Sequence, residues 1–165
     1  MKRLICFLSI LLVFPTLWGC NSTSIDPVSF FYCREPDQIQ YFNEAGVICA
    51  ESRDLTGHRG DLQYMIRLYL AGPLEEGLRC PFPSNTRLLE TKKIVSSVRI
   101  KLSDMEDSLS DAEFSLACAC LTQTCISFSQ CTEVIITSGD RSITMNAENL
   151  VLSDVPMSSE TNLGG

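Results

Sequence analysis

One short stretch of this chain alternates strictly between apolar and polar side chains, and it constrains the fold more than any other feature. Val98, Ile100 and Leu102 hold the apolar positions. Arg99 and Lys101 hold the positions between them. Because successive side chains of a strand point to opposite faces, one face must be covered and the other must meet water. The pattern predicts a sheet with a helical layer on one side only.

Two segments have the periodicity of helices that could form this layer. Residues 62–73 place apolar side chains at i, i+3, i+4 and i+7, and Gly72 followed by Pro73 is a typical stop signal. A second helix is predicted to start at a capping box made by Ser110 and Glu113. Its apolar stripe consists of Phe114, Ala117, Cys118, Leu121, Cys125 and Phe128.

Apolar and β-branched segments bounded by turn residues predict the remaining strands. These strands are residues 28–33, 44–50, 86–93, 97–103, 132–137 and 142–147. Helices alternate with strands along the chain, which predicts an α/β (α+β) fold: a single two-layer domain with two helices packed on one small mixed sheet.

The N-terminus has the pattern of a bacterial lipoprotein signal. Lys2 and Arg3 precede an apolar run that is too short to span a bilayer as a helix. The run ends in Leu-Trp-Gly-Cys at 17–20, which resembles a lipobox. Signal cleavage needs a small residue such as Gly19 before the cut, and a thioether to diacylglycerol can form only at a thiol, here Cys20.

This leader divides the chain into predicted parts. They are a signal peptide at 1–19, a lipidated cysteine and polar tether at 20–27, a folded domain at 28–156 and a disordered tail at 157–165. Two acyl chains, such as palmitate, make a stable anchor. We therefore expect a lipid-anchored protein on the extracytoplasmic face of the cell membrane. The alternatives are an ordinary secretory signal or an uncleaved anchor, and Trp18 stands where a lipobox usually has a small residue.

The charge balance limits the choice of partners. The chain has 13 Lys and Arg against 20 Asp and Glu, and Lys2 and Arg3 lie in the predicted signal, so the remaining eleven bases leave a formal charge of −9. An acidic domain without a basic stripe predicts no nucleic-acid partner. It also predicts no electrostatic docking on anionic lipid, so the lipid alone would hold the protein to the membrane.

Nine cysteines raise the question of disulfides. After Cys6 in the signal and Cys20 in the anchor, seven remain: Cys33, Cys49, Cys80, Cys118, Cys120, Cys125 and Cys131. The odd number leaves at least one unpaired within the chain. An exported protein can form disulfides, and buried thiols can equally serve as small hydrophobes. A disulfide from the second helix to Cys80 or Cys33 is one option, and the sequence leaves the pairing open.

Neither a metal centre nor a catalytic site is predicted. On a helix, Cys118 and Cys120 point about 200° apart, and Cys118 and Cys125 lie two turns apart, so neither pair can share an ion. His58 has no nucleophile or carboxylate partner at motif spacing. The acidic stretch at 104–111 lacks the turn glycine of a calcium loop. We expect no catalytic residue, no metal and no cofactor.

The middle of the chain resembles the GerMN domain, the sporulation and spore germination family. The resemblance covers roughly residues 28–156 and includes a strand pair at 86–103. The matched residues are Leu70, Ala71, Gly72, Pro73, Gly77, Leu78, Pro83, Thr86, Leu88, Leu89, Thr124, Phe128 and Val134, with the closing segment 150–156. The chain departs from the family pattern at Val95 and Ser96, where an Asp-Gly-like turn is usual, and at Cys125 and Cys131, where Leu and Val are usual.

The resemblance implies a helix–strand–strand–helix–strand domain similar to the ring-building motif, which is used in protein–protein contacts and carries no chemistry. We expect a non-enzymatic interaction module in a sporulation, germination or cell-envelope assembly. Its partners would be envelope or spore-assembly proteins, with homo-oligomers as a further option. The alternative is a surface lipoprotein that binds a cell-wall fragment or small molecule. An enzyme is a third hypothesis, and it lacks a nucleophile–base pair.

Overall fold

The computed structural model describes residues 27–36, 47–55, 57–58, 60–105, 108–148 and 150. The predicted α/β (α+β) class is confirmed within these ranges. Their elements, in chain order, are β1 (Val28–Arg34), β2 (Ile48–Arg53), α1 (Leu62–Leu70), β3 (Leu78–Arg79), β4 (Leu88–Ile94), β5 (Ser97–Leu102), α2 (Asp111–Ser129), β6 (Glu133–Ser138) and β7 (Arg141–Asn146). The predictions for Gly19, Cys20 and residues 151–165 lie outside the described residues.

The described strands form two sheets, where the sequence predicts one. The first has the order β2-β1-β3 and is antiparallel throughout. The second has the order β4-β5-β6-β7, and β5 and β6 are parallel because α2 connects them. The helix–strand–strand–helix–strand order implied by the GerMN resemblance is present as α1-β4-β5-α2-β6, with the two-residue β3 inserted after α1.

The first sheet is separated from the second because a helix, not a strand, lies along part of β1. The amide of Phe31 donates to the hydroxyl of Thr124 at 2.9 Å. The carbonyl of Ser29 accepts from the hydroxyl of Ser127 at 2.7 Å. Both hydroxyls belong to α2, so helix side chains satisfy backbone groups that a further strand would otherwise pair.

Helix α2 is the centre of the core. It contacts β1 of the first sheet and both β6 and β7 of the second. Its buried side therefore extends beyond the predicted stripe to include Ala119, Cys120, Thr122 and Thr124, while Phe128 is only partly buried. A helix that is buried on most sides loses the narrow stripe of a surface helix.

Helix α1 contacts β4 and α2, and it reaches the first sheet through an aromatic side chain. Its N-cap Asp61 accepts from the amide of Tyr64 at 2.9 Å. Its buried Tyr69 stacks on Tyr32 of β1, with ring centroids 4.9 Å apart. The helix ends at Leu70, and Gly72 has a φ of +100°, a backbone conformation that glycine adopts at little cost. The sequence-based prediction of a helix stop at Gly72 is therefore confirmed.

The turn between β4 and β5 has two residues, Val95 and Ser96, and pairs Ile94 with Ser97. Val95 has a φ of +53° and is 91% exposed. A β-branched residue in the left-handed region is strained, because its Cβ approaches the following carbonyl. The strand register is nevertheless set by the apolar face of β5, which must remain covered.

Candidate interaction surface

The four-stranded sheet has one covered face and one open face, as the alternation in β5 predicts. Val98, Ile100 and Leu102 are at most 1% exposed. Arg99 and Lys101, between them, are exposed. The strand thus carries two positive charges to the side of the sheet that faces away from the core.

The register of β4 adds a third positive charge to this side. Lys92 pairs with Arg99, and Glu90 pairs with Lys101. Directly opposed residues of antiparallel strands hold their Cβ atoms about 5 Å apart. Two cations therefore face each other across the strands, an arrangement that is unfavourable unless an anion lies nearby.

Strands β6 and β7 complete the open side with uncharged residues, except for Glu133 of β6, which pairs with Ser97. Ile135 pairs with Arg99, and Thr137 pairs with Lys101. Thr144 of β7 is exposed beside Ile135. We call the part of this open side that carries the cations the basic sheet face. It consists of Glu90, Lys92, Arg99, Lys101, Ile135, Thr137 and Thr144.

A shallow depression of about 260 Å³ lies on the basic sheet face. Its lining includes three cations and one carboxylate, Lys92, Arg99, Lys101 and Glu90. None of the three cations forms an ion pair or hydrogen bond within the described residues; the ion pairs found there are Glu51–Arg53 and Asp111–Arg141. Small-molecule sites are deeper and enclose most of their ligand. This depression suits contact with a partner surface.

Strand β2 carries a buried ion pair that the sequence pattern does not predict. Glu51 and Arg53 are 4% and 6% exposed and form an ion pair. The other oxygen of the Glu51 carboxylate accepts from the amides of Leu74 and Glu75 at 2.7 and 3.0 Å. Arg53 donates to the carbonyl of Gly72 at 2.8 Å. The pair thereby holds the loop that follows α1 against β2.

Aromatic rings surround the guanidinium of this pair. Arg53 lies 4.8 Å from the centre of the Phe30 ring and donates to the hydroxyl of Tyr32 at 3.3 Å. The Tyr32 hydroxyl in turn donates to the carbonyl of Tyr69 at 3.1 Å. The predicted strand at 44–50 stops before these residues, although Glu51 and Arg53 have the i, i+2 spacing that places both on one face of a strand.

Hydrogen bonding controls the ionisation of Glu51. Burial raises the pKa of its carboxyl group. The hydrogen bonds from Arg53 and from the amides of Glu75 and Leu74, together with the charge of Arg53, outweigh burial and hold the pKa below its ordinary value. The carboxylate is therefore charged at neutral pH and forms a stable partner for Arg53.

The residues that the sequence singles out as candidate chemical groups have structural contacts. His58 is exposed, and its ring stacks on Tyr64 at 4.1 Å between centroids. The amide of Ser110 donates to the Glu113 carboxylate at 2.9 Å, and the Ser110 hydroxyl accepts from the Glu113 amide, so the predicted capping box is confirmed. Residues 106–107 of the acidic stretch lie outside the described residues.

Seven cysteines fall within the described residues, and no two of them are joined by a disulfide there. Cys49 and Cys80 are half-buried; Cys33, Cys118, Cys120, Cys125 and Cys131 are buried. Across the described ranges, no three His, Cys, Asp or Glu side chains come together as ligands for a metal ion. The Sγ atoms of Cys33 and Cys120 are 3.8 Å apart.

None of the helices in the described ranges is long and apolar enough to cross a membrane. No protein-family model and no curated protein matches this chain. Similar solved structures include tandem GerMN domains of the sporulation protein GerM from Bacillus subtilis, at 16% identity and a TM-score of 0.47. That alignment covers 76% of this chain and 43% of the tandem protein, so this chain spans less than half of it.

Two further solved structures are similar to this chain. The first GerMN domain of GerM has 13% identity and a TM-score of 0.47, over 71% of this chain and 85% of that domain. A candidate lipoprotein from Clostridium perfringens has 16% identity and a TM-score of 0.45, over 74% of this chain and 87% of that one.

Proposed function

We propose that this chain is a non-enzymatic, lipid-anchored protein of the extracytoplasmic membrane face, and that its GerMN-like domain binds an acidic protein partner in an envelope or spore assembly. The observation that carries the proposal is the basic sheet face. It is open, nearly flat, and bears three cations without partners in the described part of the chain.

Charge complementarity identifies the kind of partner. The rest of the domain is acidic, because the residues after Gly19 carry a formal charge of −9. A protein that presents carboxylates would therefore be attracted to the basic sheet face and repelled elsewhere, which fixes its orientation. Ile135 supplies an apolar contact beside Arg99, and apolar contacts together with polar ones are usual in an interface.

The test uses the anchored protein in intact cells, growing and starved. A photo-crosslinking residue replaces Thr144 on the basic sheet face, and in a matched strain it replaces Gln63, which is exposed on α1. We expect one defined adduct from position 144 only. Reversing the charge with Arg99→Glu should reduce that adduct at least tenfold, whereas the control Arg67→Glu on α1 should leave it unchanged.

Three outcomes would contradict the proposal. They are equal adducts from both positions, an adduct insensitive to Arg99→Glu, and no adduct in either growth state. In the last case, thermal stabilisation of the purified chain by a cell-wall fraction would favour the ligand-binding alternative. If the adduct contains a second copy of this chain, the chain forms a homo-oligomer, and the acidic surface of the second copy provides the complementary charge.

A further inference from the structure

Two buried thiols from distant parts of the chain are in contact. Cys33 lies on β1 and Cys120 on α2, 87 residues apart in sequence, and both are fully buried. Their Sγ atoms are separated by 3.8 Å, which is van der Waals contact. A disulfide needs an S–S distance of about 2.05 Å, so the two sulfurs must approach each other further for a bond to form.

We propose that Cys33 and Cys120 form a disulfide that locks β1 onto α2. This inference does not depend on partner binding or on the lipid anchor. It selects one pairing from those that the sequence leaves open.

Among the other cysteines, Cys49 and Cys118 are placed less well to bond to either thiol. Cys49 is paired in register with Tyr32, the neighbour of Cys33, so it points to the opposite face of the sheet from Cys33. Cys118 is two residues from Cys120 on α2 and points about 200° away around the helix. Cys80 is the half-buried competitor, and its Sγ lies 4.0 Å from the carbonyl of Tyr69, which accepts its hydrogen bond.

The contact between the two thiols affects their pKa values in the folded state. The hydrogen bond between the two thiols lowers the pKa of Cys33 despite its burial. The same hydrogen bond, with burial, raises the pKa of Cys120. The thiolate is the nucleophile in disulfide exchange, and either thiol can react first once β1 has opened from α2.

The oxidant is an external disulfide, RSSR, either a small molecule or a protein. The thiolate of one of the two cysteines attacks one sulfur, forms a mixed disulfide and releases RS⁻. The other cysteine then loses its proton and attacks the protein sulfur of the mixed disulfide, which forms the Cys33–Cys120 bond and releases the second RS⁻. The two protein thiols lose two electrons and two protons, and RSSR gains them as two thiols. Since both thiols are buried, the exchange takes place during folding or a transient opening of β1 from α2.

The bond would join residues far apart in sequence and so restrict the unfolded chain strongly. A disulfide that closes a loop of this length should raise the Tm by about 10 °C over the reduced protein.

The experiment uses the full chain in detergent, first reduced and then equilibrated with a glutathione redox buffer of increasing oxidised fraction. Thiols are counted in denaturant, the cross-link is mapped by mass spectrometry without reduction, and Tm is measured at each point. We expect a loss of two thiols, a cross-link between the peptides of Cys33 and Cys120, and the rise in Tm.

Matched variants assign the bond. Cys33→Ser and Cys120→Ser should each abolish both the cross-link and the rise in Tm, and Cys118→Ser should keep both. If a serine variant fails to fold, the map of the unsubstituted chain decides alone. Retention of all thiols in the most oxidising buffer, or a bond that joins any other pair, Cys80 included, would overturn the proposal.

Discussion

Replacing Arg53 with methionine tests the buried ion pair directly, because Met keeps much of the side-chain volume and removes the charge. The guanidinium contacts the Glu51 carboxylate, the Gly72 carbonyl and the Phe30 ring. Removing one partner of a buried pair leaves the other charge without compensation, which costs about 3–5 kcal/mol. We expect Arg53→Met to lower the free energy of unfolding by that amount.

The reciprocal change should cost less. In Glu51→Gln, the amide oxygen can still accept from the backbone amides of Leu74 and Glu75, as the carboxylate does. Arg53 keeps its bond to the Gly72 carbonyl. We expect a loss of about 1–3 kcal/mol. The double variant buries no charge, so its loss should be smaller than the sum of the two single losses by about 1–3 kcal/mol.

Urea unfolding at pH 7 measures all four proteins of this cycle, with the midpoint and the slope fitted separately. An unchanged slope shows that stability, and not the compactness of the unfolded state, has changed. Arg67→Met is the matched control, because Arg67 is exposed on α1 and its loss should cost no more than about 0.5 kcal/mol. A loss below about 1 kcal/mol for Arg53→Met, or additive single losses, would refute the reasoning.

The same pair predicts how stability depends on pH. Since the folded pKa of Glu51 is lowered, its contribution to stability is complete above the unfolded pKa of about 4.3 and is lost as the pH falls through the folded value. Glu51→Gln has no such group. The difference in stability between the two proteins should therefore shrink below about pH 4, and a constant difference down to pH 2 would contradict the assignment.

The remaining predictions concern the β4–β5 turn and the anchor. Val95→Gly should raise the free energy of unfolding by about 1 kcal/mol. The reason is that a positive φ strains a β-branched residue by more than glycine loses through the greater entropy of the unfolded chain. Val95→Ala should bring no comparable gain, and urea midpoints that rank the two variants in the opposite order would exclude strain at this turn. Cys20→Ala should abolish lipid processing and membrane retention, measured by cell fractionation; an unchanged mature, membrane-bound protein would rule out the lipobox.

Local patterns predict most of this fold. The alternation around Arg99 predicts an open sheet face, and Ser110 with Glu113 predicts the start of α2 one residue later; the structure confirms both. Contacts that depend on register or tertiary packing are not visible in such patterns. Lys92 joins the basic sheet face only because a two-residue turn places it opposite Arg99, and no local signal brings Cys120 to Cys33.

A comparison of α2, the edge of β4 and the basic sheet face favours the last as the surface for a partner. Helix α2 connects β5 to β6, contacts both sheets and satisfies the edge of β1 with Thr124 and Ser127, so its surface is already occupied by the domain. Strand β4 has an edge, but its charged residues, such as Lys93, disfavour the addition of another strand. Within the described residues, the basic sheet face is not occupied by other parts of the domain, and binding there does not require the addition of a strand. A partner that binds there would contact side chains without competing for any backbone hydrogen bond that holds the fold together.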